Sequence, residues 1–109
     1  MPEMIEIPFS DEMGIAALEY RKIATTRSEK KGGIGDWFEI KFPAPFLDEP
    51  GIFRIIEIIK VNLEEVRNIF YRLEGFDTPE SFEKTWRALH RGHFTTKKIY
   101  YIHFFTRVS

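Results

Sequence analysis

Residues 51–61 read Gly51-Ile52-Phe53-Arg54-Ile55-Ile56-Glu57-Ile58-Ile59-Lys60-Val61, and whether this run is helix or strand decides the fold. Arg54, Glu57 and Lys60 recur every three residues, which suits a helix. Against that, six of the eleven residues are Ile or Val. β-Branched side chains lose rotamer freedom in a helix and pack well on a pleated surface. A glycine also opens the run. The composition predicts a long strand, buried on much of both faces.

Downstream, Asn62 stands as an N-cap and Glu65 completes a capping box. Val66, Ile69, Phe70 and Leu73 form an apolar stripe, and Gly75 ends the helix as a C′ glycine. Thr78-Pro79 starts another helix, an N-cap followed by an N1 proline. Its inner face is expected from Phe82, Trp86, Leu89 and His90, with Gly92 as its stop. Lys98 to Val108 is β-branched and aromatic and reads as the last strand.

Upstream, Asp36 to Phe42 reads as a strand stopped by Pro43 and Pro45. Ser28 to Gly35 is a basic, glycine-rich loop, and Ala24 to Arg27 a short strand. Ser10 caps a first helix with Asp11 and Glu12 in its first turn. Met13, Ala16, Ala17 and Tyr20 form its apolar face, and Arg21 and Lys22 fall in its last turn. Met4 to Phe9 alternates loosely as a short strand. The order is β-α-β-β-β-α-α-β, an α+β domain whose sheet is expected to curl, since closure removes exposed edges.

Composition bounds the function. At 109 residues the chain is expected to form one domain over residues 1–109. Hydrophobic residues are 43% and charged residues 30%, which excludes a disordered chain. Lys plus Arg is 16 and Asp plus Glu is 17, giving a net charge of −1. A chain-wide basic footprint is therefore excluded, and any nucleic-acid contact must use a local patch. The absence of cysteine excludes disulfides, thiolate zinc sites and a Cys nucleophile. His90 and His93 at i, i+3 have no obvious third ligand, so no metal is expected. No cofactor motif is present. No apolar run approaches the ~20 residues of a membrane span. The acidic start, Met1 to Phe9, lacks the pattern of a signal peptide, so a cytoplasmic location and no membrane partner are expected. The lack of Gln and the sparing use of Asn lean towards a thermophilic source.

Three segments stand out together: Lys22-Ile23-Ala24-Thr25-Thr26-Arg27, Ile34-Gly35-Asp36-Trp37, and Glu74-Gly75-Phe76 followed by Thr78-Pro79-Glu80-Ser81-Phe82 and Trp86. With the terminal run Ile99 to Phe104, this ordered set resembles the ASCH domain family from about Met13 to Val108. The resemblance implies a PUA-like fold, a small β-barrel with flanking helices and a cleft for RNA. Two positions depart from the pattern: Tyr20, where many members have glycine, and Ile23, where Thr often follows the Lys. One branch of the family removes the acetyl group from acetylcytidine. Its proposed catalytic Lys, Thr and Glu fall on Lys22, Thr25 and Glu74, and its Arg on Arg27. Another branch is linked to ribonuclease activity.

The chemistry of the set follows from its spacing. Lys22 and Thr25 point to opposite faces of a straight strand, so they converge only if the chain bends between them. Thr25 and Arg27 share one face. Glu74, beside a helix-ending glycine, could close the site from across a cleft. Thr needs an adjacent base. Lys22 serves only if burial or Arg27 lowers its pKa, and a nearby Glu74 works against that. The ordinary alternatives are a structural Lys22–Glu74 ion pair and a Thr25 that is only a β-former. Lys30 and Lys31, followed by Gly32-Gly33, could cradle phosphate. Of the aromatics that could stack a base, Trp37, Phe76, Trp86 and Tyr100, Trp86 sits at core spacing.

The expected function is a module that binds RNA or a nucleoside-like ligand through Lys22, Arg27, Lys30, Lys31, Glu74, Phe76 and Tyr100. The alternatives are an amidohydrolase with Thr25 as nucleophile and Lys22 as base, a ribonuclease, and a non-catalytic interaction domain.

Overall fold

A computed structural model describes residues 3–40 and 51–108. The strands are β1 (Met4–Ile5), β2 (Ala24–Arg27), β3 (Trp37–Ile40), β4 (Gly51–Val61) and β5 (Tyr100–Arg107). The helices are α1 (Asp11–Leu18), α2 (Leu63–Glu65) and α3 (Pro79–Leu89), and α2 runs on into a π-helical turn at Val66–Phe70. The strands form one sheet in the order β1-β3-β4-β5-β2, antiparallel throughout except for the β1–β3 pair. The result is an α+β fold with the helices packed on a barrel-like sheet. The expected end of β3 at Phe42, and its stop at Pro43 and Pro45, lie outside the described residues.

The run 51–61 is a strand throughout its length. Its burial differs from expectation. Phe53 and Ile55 are buried, but Ile56 and Ile59 are exposed, so the strand is not covered on both faces. The cause is a register shift between Ile55 and Glu57, where β4 pairs with Phe105 and then Phe104 of β5. The bulge changes which side chains face inwards. Before it, Phe53 and Ile55 join a cluster with Leu18, Phe38 and Phe105. After it, Val61 joins a second cluster with Leu63, Phe82, Trp86 and Ile102. Phe38 anchors the first cluster, stacked on Phe53 at 5.5 Å and edge-on to Phe105 at 5.3 Å.

Three helical details also depart from expectation. Helix α1 stops at Leu18, and Tyr20 takes a φ of +62°, so Tyr20, Arg21 and Lys22 lie beyond the helix. The Asn62–Glu65 capping box forms. The π-helical turn that follows is wider than an α-turn and rotates Ile69 off the stripe, leaving it 64% exposed. In α3, Phe82 and Trp86 are buried, while Leu89 is 61% exposed and His90 is also exposed. The helix unwinds at His90, before it reaches Gly92. The first strand is only Met4–Ile5, shorter than the alternation to Phe9 suggests.

Candidate ligand-binding site

The segment from α2 ends on a Schellman motif. Phe76 N–H donates to Tyr71 O and Gly75 N–H to Arg72 O, both at 3.0 Å, with Gly75 at φ +100°. The next carbonyl, Leu73 O, accepts from Ile23 N at 2.8 Å and Ala24 N at 3.0 Å. The last, Glu74 O, accepts from Lys22 Nζ at 3.1 Å. The residues entering β2 thus satisfy two of the carbonyls a helix end leaves open. Gly75 is required twice, by its positive φ and because a Cβ there would lie 3.2 Å from Lys22 Cβ.

This junction brings Lys22 and Glu74 together. Beyond α1, Arg21 N and Lys22 N both donate to Ala16 O, at 2.8 and 3.1 Å, and turn the chain inwards. Arg21 stays at the surface with Glu19, and Lys22 is buried. Lys22 Nζ donates to Glu74 Oε1 at 3.0 Å. The other carboxylate oxygen, Oε2, accepts from Thr26 Oγ1 at 2.8 Å. Both Lys22 and Glu74 are 3% exposed.

Burial dominates the electrostatics. It pushes the Lys22 pKa down, opposed by the charge and hydrogen bond of Glu74 and assisted by the charge of Arg27. Burial likewise lowers Arg27, with Glu74 opposing. Arg27 still carries its charge at neutral pH. Its Nε donates to Thr25 Oγ1 at 3.3 Å, and its guanidinium lies 5.1 Å from the Phe9 ring centroid.

A buried histidine supports this strand from behind. Lys31 N–H donates to His103 Nε2 at 2.8 Å, so Nε2 must be the unprotonated nitrogen. Nδ1 then carries the proton and faces Thr25 O at 3.3 Å. His103 is lowered from the ordinary imidazole value by burial first, with Arg27 and Lys31 also disfavouring a second positive charge. It ties the basic loop to β2.

Lys22, Thr25, Arg27, Lys31, Glu74, Phe76 and Tyr100 all line one cavity of about 440 Å³. That volume is in the range of small-ligand sites, about 300–1,000 Å³. One wall is polar and centred on Lys22 and Glu74. The other is aromatic, with Phe82 edge-on to Phe76 at 5.6 Å and Trp86 edge-on to Tyr100 at 5.5 Å. Lys30 is exposed and is not part of these walls. Trp37 lies on β3 opposite Met4 and Arg54, away from the cavity. Tyr101, the neighbour of Tyr100, is also outside it.

Thr26, Phe9 and His103 were not marked by the sequence. Strand alternation sets Thr26 opposite Thr25, which hides its bond to Glu74. Phe9 and His103 have no spacing signal at all. The hydrogen bonds run from Lys22 to Glu74 and from Arg27 to Thr25, and Thr26 rather than Thr25 engages the carboxylate.

No family model matches the chain, and no curated protein matches it. Solved structures do. An ASCH protein from Zymomonas mobilis superposes with a TM-score of 0.69 at 12% identity, over 95% of this chain and 67% of that one. An ASCH domain from Lactobacillus crispatus gives 0.66 at 15% identity, over 96% and 78%. A protein from Enterococcus faecalis assigned to family DUF984 gives 0.63 at 21% identity, over 99% and 80%. At these identities the likeness is one of fold, and that fold is the ASCH fold.

Proposed function

We propose that this ASCH-fold chain binds RNA or a nucleoside-like ligand in the cavity between β2 and α3. The observation that carries the reading is the pairing of a buried ionisable wall with an aromatic wall across one small cavity. On the aromatic wall Phe76 is only half-buried, and its ring is the one a planar base would meet. The polar wall is rich in donors. Lys22 places two of its N–H donors on Glu74, the Thr25 hydroxyl accepts from Arg27 and keeps its own proton, and Arg27 retains further N–H groups. A ligand edge bearing carbonyl or ring-nitrogen acceptors complements that set.

A second reading is favoured by one specific observation. Lys22 is buried, and burial lowers its pKa against the opposing charge of Glu74, which is the direction a general base requires. With Thr25 as nucleophile, the site would then deacylate an acylated nucleoside such as acetylcytidine. Thr25 Oγ would attack the acyl carbonyl, the amine would leave with a proton, and water would hydrolyse the ester.

Incubation with a panel of nucleosides, acylated nucleosides and short RNAs, read by mass spectrometry and by binding, tests both readings. Retention of nucleosides or RNAs without change supports the binding module. Loss of the acyl mass supports the hydrolase, and shortened RNA the ribonuclease. A panel that neither binds nor changes leaves the interaction-domain alternative. No described helix is long and apolar enough to cross a membrane.

A further inference from the structure

Beside the main cavity lies a second, more open hollow of about 380 Å³. The two share Trp86, Leu89, His90 and Tyr100, so they adjoin across a common wall. The hollow adds Arg91 and His93, from the segment that joins α3 to β5. That segment, His90 to Lys98, carries Arg91, Lys97 and Lys98 and no acid. Lys98 stands 5.1 Å from the Tyr100 ring centroid, at the seam between the two hollows.

The segment is held in shape. Arg87 Nη1 donates to Gly92 O at 2.8 Å, and the Arg87 guanidinium lies 5.3 Å from the Phe94 ring centroid. Phe94 in turn meets Phe82 of the core edge-on at 6.5 Å. His90 stacks on Trp86 at 4.1 Å, and its Nδ1 lies 2.8 Å from Trp86 O. Arg91 itself has a φ of +57°. A left-handed backbone at a long side chain is costly, and such strain concentrates at functional positions. Glycine or asparagine would fit the turn at less cost, yet the position carries a guanidinium.

We propose that this hollow is a phosphate subsite, in which Arg91 and His93 hold the phosphate of a ligand whose base fills the main cavity. The ligand class narrows accordingly, to a nucleotide or an RNA strand rather than a free nucleoside. A guanidinium pairs with phosphate oxygens through two parallel N–H bonds. The shared aromatic wall keeps the sugar between the two hollows. Local concentration of positive charge explains how a chain of net charge −1 can attract an anion. The proposal rests on the base-binding reading of the main cavity.

The test compares the full chain with its Arg91→Gly, His93→Ala double variant. Glycine suits the positive φ, so the turn keeps its shape. Both proteins are titrated calorimetrically with the four common ribonucleosides, their 5′-monophosphates, and five-residue homopolymer RNAs, at low and high salt. The expected result is that monophosphates or RNAs bind the wild type about tenfold or more tighter than the matching nucleoside at low salt. The variant should lose that advantage and keep its nucleoside affinity. A gain confined to monophosphates identifies a terminal phosphate. A larger gain with RNA, falling steeply with salt, identifies a phosphodiester chain. Equal affinity for nucleosides and their phosphorylated forms overturns the subsite alone, as does a variant that loses both equally. Failure of every ligand to bind overturns the base cavity and the subsite together.

Discussion

Lys22 and Glu74 are 52 residues apart in sequence, and their side chains meet at 3.0 Å with almost no exposure to solvent. Removing one partner of such a pair leaves the other buried without compensation. Lys22→Met should therefore destabilise the fold by about 3–5 kcal/mol. Glu74→Gln should cost less, because Lys22, already lowered by burial, can give up its proton. Without the opposing carboxylate the Lys22 pKa falls further below 10.5. The folded state then binds fewer protons than the unfolded one, so this variant should gain stability as pH rises towards 10.5. Urea unfolding across pH checks both statements. Equal losses in the two variants would show that Lys22 cannot shed its charge.

The two threonines of β2 should separate cleanly. Thr26 is buried, and its hydroxyl donates a hydrogen bond to Glu74 Oε2 at 2.8 Å. Thr26→Val keeps the shape and strips the carboxylate of a donor, at a cost of about 1–3 kcal/mol in stability, whereas Thr26→Ser should restore it. Thr25→Ala should leave the fold nearly intact. In a binding module it should cost ligand affinity about 1 kcal/mol. In a hydrolase it should abolish turnover. Thermal melts and the ligand panel distinguish these outcomes, and a stable Thr26→Val variant would mean that Glu74 finds another donor.

His103 predicts a loss of stability on acidification. It is held neutral, with Nε2 accepting from Lys31 N–H and its charged form disfavoured by burial, Arg27 and Lys31. Its folded pKa lies below the ordinary imidazole value of about 6.5. The folded state thus binds fewer protons, and the contribution is complete above about pH 6.5 and lost as pH falls through the folded pKa. An NMR titration of the ring should show a midpoint below the ordinary imidazole value, and the Lys31 amide should move with it. A midpoint at or above the ordinary value would contradict the assigned tautomer.

Backbone strain at Tyr20 is open to relief. The residue has φ +62° and is 68% exposed, so its ring contributes little burial. Tyr20→Gly should stabilise the protein by about 1 kcal/mol, with the gain in backbone freedom of the unfolded chain offsetting part of the relief. Gly75→Ala should do the reverse, because φ is +100° and the new methyl would press on Lys22. Chemical denaturation of the two variants gives the comparison directly.

Much of this arrangement is legible in local sequence. Asn62 with Glu65, Thr78 with Pro79, and Gly75 mark their helix ends because capping is a matter of a few neighbouring residues. The β-branched run 51–61 marks its strand for the same reason. The inward set of that strand is not legible, since the bulge beyond Ile55 depends on its partner β5. Nor is the outward turn of Ile69, which follows from a π-helical turn with no local signature. Within the site, the ASCH-like motif marks Lys22, Thr25, Arg27 and Glu74, and the structure gathers all four. Thr26, Phe9 and His103 depend on tertiary contacts alone, and Lys30 shows that a basic residue beside a site need not face it.

The seam where Ile23 and Ala24 donate to Leu73 O also governs how the molecule can come apart. These two amides fasten the start of an edge strand to the end of a distant helix, and the cavity's ionisable wall is built on that fastening. The wall is therefore expected to open only together with both segments. Amide hydrogen exchange at Ile23 and Ala24 should proceed only through cooperative unfolding of both segments, at a rate tied to the surrounding unit rather than to loop fluctuation. A ligand held by Lys22 and Glu74 would slow exchange at both amides together, turning this junction into a natural reporter of occupancy.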